Sequence, residues 1–247
     1  MIHQHIFACP KPGMTEAEFQ RYWVEEHAVK YAAKIPQIRR YMVCTRVDVG
    51  NQSNELPFSG VAEIWLDNEK EQLESLQTPE FLQGARLDEP NWAAFWATLV
   101  LDTDAHELLE GPPLRSTPDW TKIYVLMKRK PGMSLDEFRQ YSLHSHAPKA
   151  LELPGLRRYL QCHVRDSYYT LGESRFDAIS QLWFDDEEAL EKAITSSHHR
   201  ETIVPDLARF TDPKYLMTMA VREHWIIGPE ARRESAAAST GEPVVAT

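Results

Sequence analysis

The apolar positions fall into short runs and longer periodic stretches, and the same series of both occurs twice. Residues 4–9 and 123–127 are short apolar runs that stop at Lys11-Pro12-Gly13 and Lys130-Pro131-Gly132, and they read as strands. Thr15 with Glu18, and Ser134 with Glu137, then give the spacing of a capping box, in which side chains satisfy amides left free at a helix start. The periodicity predicts helices from there to about residues 34 and 153, stopped near Pro36 and Pro154. Strands follow at 40–49 and 159–165, and again at 60–66 and 178–184. Acidic caps at Asp67-Asn68-Glu69 and Asp185-Asp186-Glu187 open second helices. Last strands cover about 99–109 and 216–227.

The two series are copies of one unit. Gly13 and Gly132 stand 119 apart, Tyr41 and Tyr159 stand 118 apart, and Phe58 and Trp65 recur as Phe176 and Trp183. A unit this long, present twice, is a duplicated domain and not a solenoid array. The order β-α-β-β-α-β is ferredoxin-like. The reading is a first repeat at 1–110, a linker at 111–119 rich in proline, a second repeat at 120–228, and a disordered tail at 229–247. Such a unit covers one sheet face with helices and leaves the other bare. Two bare faces pressed together bury both. The expected architecture is therefore α+β, with two ferredoxin-like repeats packed sheet to sheet as an intramolecular barrel.

Strand alternation assigns faces. Met42 with Cys44, and Leu160 with Cys162, are expected under the helices. The opposite side then carries Tyr41, Val43 and Thr45 in one copy and Tyr159, Gln161 and His163 in the other, a polar set that fits a lumen. The third strands pair Glu63 with Trp65 and Gln181 with Trp183 on one face. On the first helix Phe19 and Trp23 lie one turn apart and His27 a turn further, at the rim of the apolar stripe. His146 holds the equivalent place, and an imidazole kept in both copies argues for use.

Bulk composition removes several functions. A net charge of −10 disfavours nucleic-acid binding. No apolar run is long enough to span a membrane, and the N-terminal residues lack the layout of a signal peptide. Three cysteines without a CxxC pair read as packing thiols in a reducing cytoplasm. His3 and His5 share a strand face, which permits a metal site. No third ligand stands at a telling spacing, so a partly exposed edge strand is the expectation and no metal is assigned.

The motifs together resemble the EthD family of dimeric α+β barrels. These are Lys-Pro-Gly-Met, Phe19-x-x-Tyr22-Trp23-x-x-x-His27-Ala28, Arg40-Tyr41 and Ala62-Glu63-Ile64-Trp65-Leu66-Asp67. The resemblance implies a site between helix histidine and strand tyrosine near the lumen, His27 with Tyr41 and His146 with Tyr159. Ser142 replaces Trp23 in the second copy, so the halves are free to specialise. The expected function is a cofactor-independent lyase or isomerase acting on a small aromatic or polyketide-like compound. Histidine would be the base and tyrosine the acid or oxyanion donor. Trp23, Glu63, Trp65, Gln161, His163 and Trp183 are the expected substrate contacts. Related barrels that host haem or use oxygen keep an oxidoreductase open, and a non-catalytic binding protein is the third reading. The partners expected are a small-molecule substrate and, at most, a second copy of the chain.

Overall fold

The computed structural model describes residues 1–50, 57–112, 119–170 and 172–230. Eight strands form one closed barrel in the order β1-β3-β2-β8-β5-β7-β6-β4. They are β1 (Ile2–Ala8), β2 (Arg40–Arg46), β3 (Gly60–Leu66), β4 (Leu99–Leu109), β5 (Thr121–Met127), β6 (Arg158–Val164), β7 (Ala178–Phe184) and β8 (Met217–Ile227). Each repeat supplies a four-stranded sheet, β4-β1-β3-β2 and β8-β5-β7-β6. The repeats are sealed by two antiparallel seams, β2 with β8 and β4 with β6. Every sheet edge is thereby paired, which removes the exposed edges that promote aggregation. The expected linker and tail fall largely outside the described residues.

Both capping boxes form, with Thr15 bonded to Glu18 and Ser134 to Glu137. The helices that they open, Glu16–Tyr22 and Leu135–Tyr141, do not stay α-helical. Each passes into a π turn, Trp23–His27 and Ser142–His146, in which the amide of Ala28 reaches the carbonyl of Trp23 and that of Ala147 reaches Ser142. The wider turn rotates the residues after it, so a regular 100° projection misplaces the histidines. His27 and His146 are buried, not at a rim. Such π turns often mark functional sites.

Strand faces divide the core in two. The lumen holds Phe7, Met42, Cys44, Val61, Tyr124, Leu126, Cys162, Ile179 and Val221. Outside the barrel, the helices of repeat 1 press Phe19 and Trp23 onto Tyr41, Val43, Ala62 and Ile64. In repeat 2 the layer under the helices includes Ile123, Tyr159, Leu182 and Phe184. The assignment of β2 and β6 from sequence is therefore reversed: Met42, Cys44, Leu160 and Cys162 face the lumen, whereas Tyr41, Val43 and Tyr159 lie under helices. The reason is register. Met42 pairs with Glu63, and Leu160 with Gln181. Paired residues share a face, and Glu63 and Gln181 point inward, as expected.

Candidate active site

The expected site residues separate into two groups with a sheet between them. Glu63 and its neighbours lie in the lumen. Both oxygens of the Glu63 carboxylate are occupied, Oε1 by Lys122 Nζ and the Tyr124 hydroxyl, Oε2 by His3 Nε2 and the Gln181 amide. Lys122 also meets Glu223 at 2.7 Å, and Trp183 donates to Glu223 at 2.9 Å. Trp65 stacks on His3 at 4.4 Å and on Trp225 at 5.8 Å, at one barrel mouth. Burial pushes the Glu63 carboxyl upward, but Lys122 and His3 outweigh it and hold it well below the usual carboxylate range. A second surprise is His3 and His5: both are buried in this lumen and not on an exposed edge.

The second group lies between helices and sheet in repeat 2, around a partly enclosed cavity of about 220 Å³. Its walls are largely aliphatic, from Ile123, Leu153, Leu182, Leu190 and Ile203. The polar groups that reach it are His146, Tyr159, Ser180, His199 and Thr218. His146 arrives from the π turn of the first helix, Tyr159 and Ser180 from β6 and β7, and His199 from the π turn His199–Ile203.

His146 is held by a residue that no sequence motif marks. Its Nδ1 lies 2.9 Å from Oδ2 of Asp206, on the helix Val204–Phe210. Asp206 also accepts from the Tyr141 hydroxyl at 2.9 Å and from Lys149 Nζ. Although burial raises the Asp206 pKa, bonds from Lys149, His146 and Tyr141 bring it below the ordinary value, so it is a carboxylate. The carboxylate accepts a hydrogen bond from Nδ1–H, which leaves the lone pair on Nε2. Burial lowers the pKa of His146, partly offset by Asp206, so the ring is neutral at pH 7. Burial drives the Tyr159 phenol the other way, up to about 12, while the Gln161 amide donates to its oxygen at 2.7 Å.

Repeat 1 keeps the same dyad without the same space. His27 Nδ1 lies 2.9 Å from Asp88 Oδ2, and Tyr22 donates to Asp88 at 2.8 Å. The ring of His27 packs 4.6 Å from Trp92, which lies tilted against Trp23 at 4.9 Å. Burial raises the Tyr41 phenol far above its ordinary value. Repeat 2 has Phe210 for Trp92, Ser142 for Trp23 and Ala150 for Tyr31, smaller at each position. Gln161 and His163 take up the room left by the missing indole: the Gln161 amide donates to the Ser142 carbonyl at 3.0 Å, and His163 Nε2 lies 2.9 Å from the Ser142 hydroxyl. They support the wall through Ser142 and Tyr159. Asp88 and Asp206 were legible in one respect: they stand 118 apart, as the tyrosines do.

The profile of the EthD domain matches residues 11–95 and again residues 130–214. Among solved structures, an anthrone oxidase-like protein superposes at a TM-score of 0.64 with 14% identity, over 96% of this chain and 95% of that chain. A proposed monooxygenase of Fusobacterium nucleatum subsp. nucleatum gives 0.56 at 8% identity, over 90% and 91%. A proposed monooxygenase of Lactobacillus acidophilus gives 0.50 at 10% identity, over 94% and 97%. At these identities the likeness is one of fold. No curated protein matches the chain. No helix among the described residues is long and apolar enough to cross a membrane.

Proposed function

The chain belongs to the EthD family, in two tandem copies, and from that premise we propose that it is a cofactor-independent acid–base enzyme whose working site is in repeat 2. The observation that carries this is that His146, held from behind by Asp206, lines a partly enclosed, largely apolar cavity together with Tyr159. Nε2 of His146 takes a proton from carbon next to a carbonyl, and Asp206 stabilises the imidazolium that forms. Tyr159, protonated across the physiological range, donates to the oxyanion that develops. Aliphatic walls lower the local polarity and strengthen both interactions.

Cavity size narrows the substrate. An apolar cavity of about 150 Å³ holds benzene, so about 220 Å³ suits one ring with small substituents, or a short folded polyketide-like chain. The enolate then loses a leaving group or accepts its proton elsewhere, giving a lyase or an isomerase. The volume lies below the roughly 300 Å³ at which ordinary ligand pockets begin and is too small for a haem macrocycle, so the haem reading has no support from this site.

The oxygen-dependent reading shares the first step, since an enolate can also reduce dioxygen. The structures described as anthrone oxidase-like and as proposed monooxygenases favour keeping it. The test is one experiment with two arms. Single-ring and polyketide-like carbon acids are incubated in D2O with the protein, and carbon–deuterium exchange is followed by NMR. Exchange that vanishes in His146→Ala supports the proposal, and its absence across the panel counts against it. Oxygen consumption in the aerobic arm separates an oxygenase from a lyase or isomerase.

A further inference from the structure

The lumen contains a second cluster that the proposed reaction does not use. His3 and His5 come from β1 of the first repeat, and Cys162 from β6 of the second. Their side chains each offer one ligand atom, and these atoms all lie within 4.8 Å of one another. All three residues are buried, at 3%, 0% and 0% exposure. We propose that the barrel lumen is a binding site for one zinc-type divalent ion, ligated by His3, His5 and Cys162.

The donor set and its geometry carry the proposal. Nδ1 of His3 lies 3.8 Å from the Cys162 sulfur. Tetrahedral zinc, with bonds of about 2.0 Å to nitrogen and about 2.3 Å to sulfur, needs roughly 3.5 Å between such atoms. The two imidazole rings are already close, at 4.2 Å between centroids. The other nitrogen of His3 is bonded to the Glu63 carboxylate. That leaves the Nδ1 lone pair turned toward Cys162, the carboxylate–histidine–metal arrangement that commonly orients a ligand. The Gln181 side-chain amide, 2.6 Å from Nε2 of His5 and 3.8 Å from the Cys162 sulfur, stands between these ligands and would turn aside as the ion enters.

The Lys122 ammonium, which acts on both His5 and Cys162, opposes the ion; the Glu63 carboxylate on His3 and the thiolate formed at Cys162 offset it. Lys122 approaches Glu63 through Oε1, the oxygen that does not hold His3. Binding releases the Cys162 thiol proton to solvent and leaves a thiolate on the metal. Three protein ligands leave a fourth position for water. The 110 Å³ recess at the barrel mouth, lined by His3, Glu63 and Gln181, gives a route inward. Because the ligands come from both repeats, the ion would fasten the halves together across the lumen.

The test uses the full chain, stripped with a chelator and titrated with Co²⁺. One equivalent should produce an intense near-ultraviolet thiolate band and the visible bands of tetrahedral cobalt. Cys162→Ser should abolish the thiolate band, and His5→Gln should weaken binding about tenfold or more. Cys44→Ser and Cys9→Ser should keep the band. Zinc should displace cobalt and raise the thermal midpoint of the unmodified protein but not of Cys162→Ser. X-ray absorption of the unmodified zinc-loaded chain, which needs no variant to fold, should show one sulfur and two imidazoles. An all-oxygen shell, no thiolate band, or a band that survives Cys162→Ser overturns the proposal.

Discussion

Nδ1 of His146 lies 2.9 Å from Oδ2 of Asp206, and the same contact at the same length joins His27 to Asp88. The duplication has preserved a buried dyad in both halves while changing its surroundings. His146 in repeat 2 faces a cavity, and His27 in repeat 1 faces an indole. On the proposed reading, that difference decides which half holds a guest.

Asp206→Asn removes the acceptor that orients His146. Turnover should fall by about 10²–10⁴, with the fold retained by circular dichroism. Tyr159→Phe should lower kcat more than it raises KM, because the phenol is used on the oxyanion. Steady-state kinetics on the substrate found by the exchange assay checks both. Wild-type rates in Asp206→Asn would remove the dyad from the mechanism.

The halves should not be equivalent. His27→Ala should leave turnover unchanged, whereas His146→Ala should abolish it. His27→Ala should instead cost about 1–3 kcal/mol of stability, because Asp88 loses a buried partner. Urea unfolding monitored by tryptophan fluorescence reads the second effect and kinetics the first.

Ala150→Tyr places in repeat 2 the residue that repeat 1 carries as Tyr31. The side chain grows into the cavity, so substrate should be excluded, with kcat/KM falling more than about tenfold. The thermal midpoint should stay within a few degrees, since there is space to fill. A variant of full activity would mean that substrate binds elsewhere.

The pH profile has a fixed sign. His146 must be neutral to act, and burial depresses its folded pKa below the ordinary 6.5. The rate should be constant from neutral pH upward and fall as pH drops through that depressed value. Stability contributed by the neutral ring is likewise present above the unfolded pKa and lost as pH falls through the folded one. Tyr159 titrates near 12, so no basic limb should appear below that. Asp206→Asn should move the acid limb lower, because the carboxylate raises the histidine pKa.

Lys122 is fully buried between Glu63 and Glu223. Lys122→Met leaves two carboxylates without their cation and should cost about 3–5 kcal/mol. Loss should be greatest near neutral pH and shrink in acid, where the orphaned carboxylates take protons. Urea titrations at pH 7 and pH 5 check this; equal losses at both would contradict the ion-pair account.

The repeat, the βαββαβ order and the barrel were legible because they rest on local signals. Capping boxes, Lys-Pro-Gly stops and apolar runs each act within a few residues. The site was only half legible. His146 and Tyr159 stand out by motif, yet alternation places them in the lumen with Glu63, Trp65 and Trp183, which lie across the sheet from them. Alternation says which residues share a face, not which face is inward; that is decided by the pairing of Met42 with Glu63, a long-range register. Trp23, His27 and Tyr41 read as half of a site, but the bulk of Trp92, distant in sequence, closes over the histidine. Asp206 escapes notice because its partner is 60 residues away and nothing local marks it. Lys122 and Tyr124 escape because they occupy the strand positions that carry His3 and His5 in repeat 1, so no recurrence points to them.

The central claim is that His146, and not His27, presents a neutral imidazole with a free Nε2 to a guest in repeat 2. Nitrogen-15 NMR of histidine-labelled protein, titrated with single-ring phenols, ketones and aromatic acids, tests it even while the natural substrate is unidentified. The account predicts that His146 is the Nδ1–H tautomer at pH 7 and that a ligand shifts its Nε2 while His27 stays unmoved. A His146 protonated at pH 7, or a ligand response confined to His27, would contradict it.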